Sequence, residues 1–215
     1  MKCVAVLSRK GGAGKSTLAV HLAVQAVAGG LRVALVDMDP QRSAADWWRT
    51  READAPELVE VHPGDLAAVV KAAEDAGVDL VICDTRPSAE ADAQEAAEAA
   101  DLALVVVRPS ILDLRAVNAT VETVQAAGTP GLVVVNQAPP ARGIAEGAIT
   151  REAVGALQGF GLPVAATIIH ARAAFASALI DGRAVLELEP AGKAAGEIAA
   201  LWNELEARLW PDGRN

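Results

Sequence analysis

Short apolar runs rich in β-branched residues recur along the chain, at 4–7, 32–36, 58–61, 80–83, 102–107, 132–135 and 164–169. Between most of them lie alanine-rich stretches whose apolar positions repeat at helical spacing, at 16–28, 65–76, 89–99, 114–127 and 149–159. The runs do not alternate with polar residues, so each reads as a strand buried on both faces. Strands that alternate with helices imply right-handed crossovers and a parallel sheet. The pattern therefore predicts an α/β fold, a doubly wound and mostly parallel sheet with helices on both faces. A last periodic stretch at 191–210 places Ile198, Leu201, Trp202, Leu205 and Leu209 on one face and predicts a closing helix.

Composition adjusts this picture only slightly. Of the 215 residues, 52% are hydrophobic and only 3% aromatic, so the core must be built from Ala, Val, Leu and Ile. The strand–helix rhythm has no linker-like pause, and residues 1–215 are expected to form one domain. A net charge of −9 argues against a generally basic nucleic-acid coat but leaves room for a local basic patch. Cys3 and Cys83 fall inside apolar runs and read as buried strand residues. Met1 leads into the first run without a basic leader, and the longest apolar run, 102–107, is too short to span a bilayer. A cytoplasmic protein with no membrane partner is the expectation.

The chemistry begins at the segment SRKGGAGKST, residues 8–17. It follows a predicted strand and opens a predicted helix, which aims backbone N–H groups and a helix N-terminus at one point and so suits an anion. Gly11, Gly12 and Gly14 let the backbone approach phosphate oxygens, with Ala13 and Thr17 completing the cradle. Lys15 can neutralise β- and γ-phosphates, and the Ser16 hydroxyl can ligate Mg²⁺. The usual spacing, however, wants glycine where Arg9 stands, and Lys10 is an extra lysine. Two further strand ends carry carboxylates: Asp37 and Asp39 in DMDPQ, and Asp84 in ICDTRP. Such groups can hold Mg²⁺ or orient a water, or they can cap a turn. Asn136 closes another strand, where its amide can read adenine or stabilise a turn.

KGGAGKST, DMDPQ and ICDTRP in this order resemble the ParA/MinD group of deviant Walker A ATPases, and within it the small plasmid-type, ParF-like ParA partition proteins. The similarity runs through ADWWRTR, VVRPSILDLRAV, IIHARAAFASALIDGRAVLE and the terminal AGKAAGEIAALWNELEARL. It implies a weak, activator-stimulated ATPase that uses ATP and Mg²⁺. It also implies an ATP-dependent homodimer in which Lys10 reaches the partner's nucleotide, with polymers as a further state. By the same resemblance Asp39 positions the attacking water, Asp84 supports Mg²⁺ through water, and Asp37 helps organise the metal's shell. Arg86 departs from the family pattern after Asp84, as Arg9 does in the loop.

The resemblance further implies nonspecific DNA binding, a ParB-like activator protein and association with the nucleoid in the ATP state. Arg142, Arg151, Arg172, Arg183 and Lys193 lie where relatives carry a basic surface, although each alone also reads as a solvated charge. No helix-turn-helix segment precedes the loop, so operator binding is not expected. Two other readings stand beside this one. A MinD-like membrane ATPase would need a basic amphipathic terminal helix, which EARLWPDGRN fits poorly. A dethiobiotin synthetase-like enzyme would turn over ATP on a small acceptor.

Overall fold

In the computed structural model, which describes residues 1–87, 89–140 and 146–214, six of the apolar runs pair into one sheet. They are β1 (Lys2–Leu7), β2 (Val33–Asp37), β3 (Glu57–Glu60), β4 (Leu80–Asp84), β5 (Leu102–Val107) and β6 (Gly131–Val135). All neighbours are parallel, in the order β3-β2-β4-β1-β5-β6. The chain winds from β1 out to β2 and β3, returns to β4, then passes β1 to reach β5 and β6. The winding thus reverses beside β1, and ligands of such sheets sit at the strands' carboxyl ends at that reversal. The glycine loop leaves β1 at this point.

Nine helices are found among the described residues: α1 (Lys15–Ala28), α2 (Ser43–Thr50), α3 (Leu66–Asp75), α4 (Glu90–Ala99), α5 (Ile111–Ala126), α6 (Ala148–Leu157), α7 (Ala173–Ile180), α8 (Val185–Leu188) and α9 (Lys193–Leu209). They form two layers, because alternate strand residues face opposite ways. Val4 and Val6 pack with α1, α2, α7, α8 and α9, whereas Cys3, Ala5 and Leu7 pack with α3 to α6. Cys3 and Cys83 are buried in the second layer, with their sulfurs 3.9 Å apart as free thiols. Ile198, Leu201, Trp202, Leu205 and Leu209 of α9 are all buried. At about 2 kcal/mol for each large side chain, this face contributes on the order of 10 kcal/mol, far more than helix propensity.

The seventh run does not become a strand. Residues 164–169 follow β6 through isolated bridges, Val133 with Val164 and Ala138 with His170, and through the Ala165 and Ile169 N–H groups, which donate to the Val133 and Val135 carbonyls at 2.7 and 3.0 Å. The reason lies in α9. Glu204 accepts from the Ala166 and Thr167 N–H groups at 3.0 and 2.7 Å, and Glu197 accepts from the His170 N–H at 3.2 Å. Side-chain carboxylates thus take up the edge amides that would otherwise continue the sheet. Helices α2, α7 and α8 are additions to the sequence reading. Arg51, beyond the end of α2, fixes that helix by stacking over Trp47 and pairing bidentately with Glu187 of α8 at 2.7 and 2.9 Å.

His21 joins α1 to α8 through its Nδ1, which accepts the Val185 N–H at 3.2 Å. The ring is buried against Phe175, and desolvation pushes its pKa down to about 4 despite the charge of Glu187. The folded state therefore holds it neutral, while the unfolded chain protonates it near 6.5. The unfolded state binds more protons between these values, so stability falls as pH is lowered from about 6.5 to 4, by about 3 kcal/mol in all. His21→Leu should lose about 1–3 kcal/mol at pH 7.5, because the Val185 amide is left unpaired. The same variant should show a flatter pH dependence than the wild type when urea unfolding is compared at pH 7.5 and 5.

Candidate functional site

The loop after β1 is shaped by two glycines that only glycine suits. Gly12 and Gly14 have φ of +73° and +93°, the left-handed region that side chains avoid. At Gly14 there is also no room, since a Cβ there would stand 2.3 Å from the Asn136 amide nitrogen. Asn136 donates to the Ala13 carbonyl at 2.7 Å, and Gln137 donates to the Gly12 carbonyl at 3.2 Å. The end of β6 therefore clamps the loop. Asn136 gives one amide N–H to this brace and also lines the adjoining cleft described below. Gln137 was not foreseen; its adjacency to Asn136 in VVVNQ was the available signal.

Beyond the loop, α1 begins without a side-chain cap and without an acidic residue in its first turn. Its first ladder bond is Leu18 N–H to the Gly14 carbonyl, at 3.0 Å. The amides of Lys15, Ser16 and Thr17 come before that bond and are left for an anion. They line a cleft of about 410 Å³ together with Gly12, Gly14, Asp39, Gln41 and Pro87. A second cleft of about 470 Å³ adjoins it through Thr17, Gln137 and Leu179 and runs on to His170 and Phe175. The pair offers a polar end for phosphates and a more apolar end for a base.

Lys15 is buried, and desolvation pushes its pKa down, partly offset by the charges of Asp84 and Asp39. Asp37 is paired in register with Asp84 across β2 and β4. Its two oxygens accept the N–H groups of Asp39 and Ala45, each at 3.0 Å. Burial raises its pKa and these bonds oppose the rise. Asp37 thus acts as a backbone brace that ties the strand end to α2. Asp39 accepts the Gln41 N–H at 2.9 Å and also lines the phosphate cleft.

Asp84 differs from both. It is fully buried, and neither carboxylate oxygen has a hydrogen-bond partner of good geometry among the described residues. Burial pushes its pKa up to about 7; the Ser16 hydroxyl, close enough to act as a donor, and the Lys15 charge only partly counter this, while Asp37 and Asp39 add to it. An unpaired buried carboxylate beside a serine hydroxyl fits a hydrated cation. No cluster of three or more metal-ligating His, Cys, Asp or Glu side chains occurs among the described residues, so a cation there would rely on ligand phosphates, as Mg²⁺ commonly does. Ser16 and Asp84 would hold Mg²⁺, which supplies charge neutralisation to β- and γ-phosphate oxygens when bound.

Lys10 lies elsewhere. It does not line the phosphate cleft but a narrow recess on the other side of the loop, with Arg9, Arg108 and Asp113. Arg9 pairs with Glu90 of α4 at 2.8 Å, and Arg86 pairs with the buried Asp92 of the same helix at 2.6 Å. Both departures from the family pattern are thus anchored on α4. Of the candidate DNA contacts, Arg142 lies outside the described residues. Arg172 is neutralised by Glu197 and lines the base-side cleft, and Arg183 is paired with Asp181. Arg151 on α6 and Lys193 at the start of α9 are exposed without an ion-pair partner among the described residues.

A strand–loop–helix phosphate cradle and a buried strand-end carboxylate at the winding reversal define a P-loop nucleotide-binding protein. The chain belongs to the CobQ/CobB/MinD/ParA nucleotide binding domain family, whose model matches residues 4–185. It is 34% identical over 213 residues to the Maintenance of carboxysome distribution protein A of Halothiobacillus neapolitanus, covering 94% of this chain and 95% of that protein. The protein of the same name from Gloeobacter kilaueensis is also 34% identical, over 99% of this chain and 96% of its own length. The fold matches that of the septum site-determining protein MinD of Pyrococcus horikoshii, solved with Mg-ADP, at a TM-score of 0.77 and 19% identity over 95% of this chain and 96% of that one. This is a P-loop ATPase of the MinD/ParA type, and ATP with Mg²⁺ is the cofactor pair typical of that family.

The state of Asp84 gives a two-sided prediction. An acid whose pKa is raised on folding costs stability as pH climbs from about 4 to 7, because the folded state gives up its proton later than the unfolded chain. Asp84→Asn removes that cost and should raise the stability of the nucleotide-free protein at pH 8 by about 1–3 kcal/mol, read by urea unfolding. The same variant should weaken Mg²⁺-dependent nucleotide binding by about tenfold or more, read by titration of a fluorescent ATP analogue with and without Mg²⁺.

Proposed function

We propose that this protein is a ParA-type positioning ATPase: a slow, activator-stimulated enzyme that dimerises on ATP and moves a cargo over nonspecific DNA. The observation that carries the reading is the separation of the two loop lysines. Lys15 lines the chain's own phosphate cleft, whereas Lys10 lines a separate recess. A cation on the outer side of one loop is suited to complete the nucleotide site of a second copy, which makes association depend on the bound phosphates. Within each subunit, Lys15 and the α1 amides would stabilise charge on the transferred phosphoryl group, and Asp39 at the cleft wall would align the attacking water.

ATP would drive the dimer, the dimer would bind DNA, and a ParB-like partner on the cargo would trigger hydrolysis and release. Arg151 and Lys193 are the described candidates that keep an unneutralised charge for phosphate contact, and pairing two copies doubles their number. The cargo is either DNA, as in plasmid or chromosome partition, or a protein assembly. End-to-end similarity to two proteins named for carboxysome distribution favours the assembly reading.

Lys15→Ala should abolish binding of a fluorescent ATP analogue. Asp39→Ala should bind ATP and accumulate as a dimer in light scattering, because hydrolysis no longer resets it. Lys10→Ala should bind ATP and remain monomeric; a wild-type level of dimer would remove the cross-subunit role. Retention on nonspecific duplex DNA should require ATP and should fall steeply between about 50 and 200 mM salt. Absence of ATP-dependent retention at the lower salt would sink the DNA-based reading while leaving the ATPase intact.

A further inference from the structure

The recess that holds Lys10 contains a second cation that the loop motif does not include. Arg108 follows β5 directly, and β5 neighbours β1, so the strand order itself carries Arg108 to the outer side of the phosphate loop. Asp113 holds it there, with Oδ2 accepting from Nε at 2.7 Å and Oδ1 accepting from Nη2 at 3.2 Å. The same carboxylate accepts from the Ser110 hydroxyl at 2.9 Å and is buried. Burial alone would raise the pKa of Asp113, but the hydrogen bonds of Arg108 and Ser110 and the charges of Arg108 and Lys10 hold it below the ordinary carboxylate value. It is thus a fixed anion, with both cations near it.

Two of the three guanidinium nitrogens are used in this clamp. The third, Nη1, makes no hydrogen bond among the described residues and points at the loop: a Cβ built on Gly12 would lie 3.9 Å from it. The side chain is about one-third exposed. An arginine anchored through two nitrogens and presenting the third loses little freedom when it binds an oxyanion. Lys10, by contrast, has no ion-pair partner among the described residues. The recess therefore holds one clamped cation and one without an ion-pair partner among the described residues, and neither lines the phosphate cleft of its own chain.

We propose that Arg108 is a second cross-subunit cation, donating through Nη1 to the phosphates of a nucleotide held by a second copy of this chain, with Asp113 as its positioning residue. The inference rests on the reading of Lys10 as a cross-subunit lysine. It assigns the two groups different tasks: Lys10 reaches, and Arg108 fixes the angle at which the second copy docks.

The test compares two readouts on the full chain. One is binding of a fluorescent ATP analogue at protein concentrations where the chain is monomeric; the other is dimer formation with a non-hydrolysable ATP analogue, by light scattering. Arg108→Ala should bind nucleotide within about twofold of wild type yet need about tenfold more protein to dimerise. Arg108→Lys, which keeps the charge but not the fork, should fall between. Because Ala leaves Asp113 buried without its partner, Arg108→Ala/Asp113→Asn serves if the single variant melts early, and the same two outcomes are expected of it. Wild-type dimerisation by the alanine variants would overturn the inference. An equal loss in both readouts would overturn it as well, since Arg108 would then serve its own chain's nucleotide or the loop's shape. If the wild type itself stays monomeric with ATP, the proposed function fails first; if only the Arg108 variants behave as wild type, the inference fails alone.

Discussion

A carboxylate removed from water without a partner is among the most expensive things a fold can contain, and Asp84 is such a group. Its position at the end of β4 is forced by the sheet, because β4 is the central strand between β1 and β2 and its end is covered on both sides. Asp37 lies in register with it on β2, and Lys15 reaches it from the start of α1. Two carboxylates and one ammonium thus share a dry corner in which no charge is fully compensated. The cost is tolerable because a nucleotide with its cation supplies what is missing. Ligand binding and folding stability are therefore opposed at this corner, and the site stays under tension until it is filled.

The surrounding structure holds that corner rigid by hydrogen bonds that have little to do with chemistry. Asp37 spends both oxygens on backbone amides, Asn136 and Gln137 clamp the loop carbonyls, and the Thr85 hydroxyl donates to the Val6 carbonyl at 2.8 Å. Arg51 locks α2, which carries the turn of Asp39, against α8. These bonds fix each strand end relative to its neighbours, so that Lys15 and the first residues of α1 line one cleft, with Asp84 buried beside it within reach of the Ser16 hydroxyl and the Lys15 charge.

Much of this was legible in the sequence because backbone requirements leave strong marks. A glycine pattern between a strand and a helix, and an aspartate after four apolar residues, follow from geometry that few other residues satisfy. What escaped reading depended on side chains far apart in the chain. The run at 164–169 has strand composition, but Glu197 and Glu204 on α9 capture its amides. Asn136 has the chemistry of a base reader, but its bond to the loop carbonyl of Ala13 depends on how near Gly14 brings the loop, which sequence does not show. Arg172 and Arg183 count as basic in composition, and only the fold shows their pairing with Glu197 and Asp181. Charge read from sequence is an upper bound on the charge a surface presents.

The departures Arg9 and Arg86 belong to the same logic. Each pairs with an acidic residue in the first turn of α4, the helix that follows the Asp84 strand. The exposed Arg9–Glu90 pair is worth only about 0–1 kcal/mol, so stability is a poor reason for it. Its effect is geometric: the loop from β1 and the segment after β4 are both tied to one helix. Arg9 sits directly before Lys10, and Arg86 two residues after Asp84. One helix thus positions the neighbours of both the loop lysine and the strand-end carboxylate.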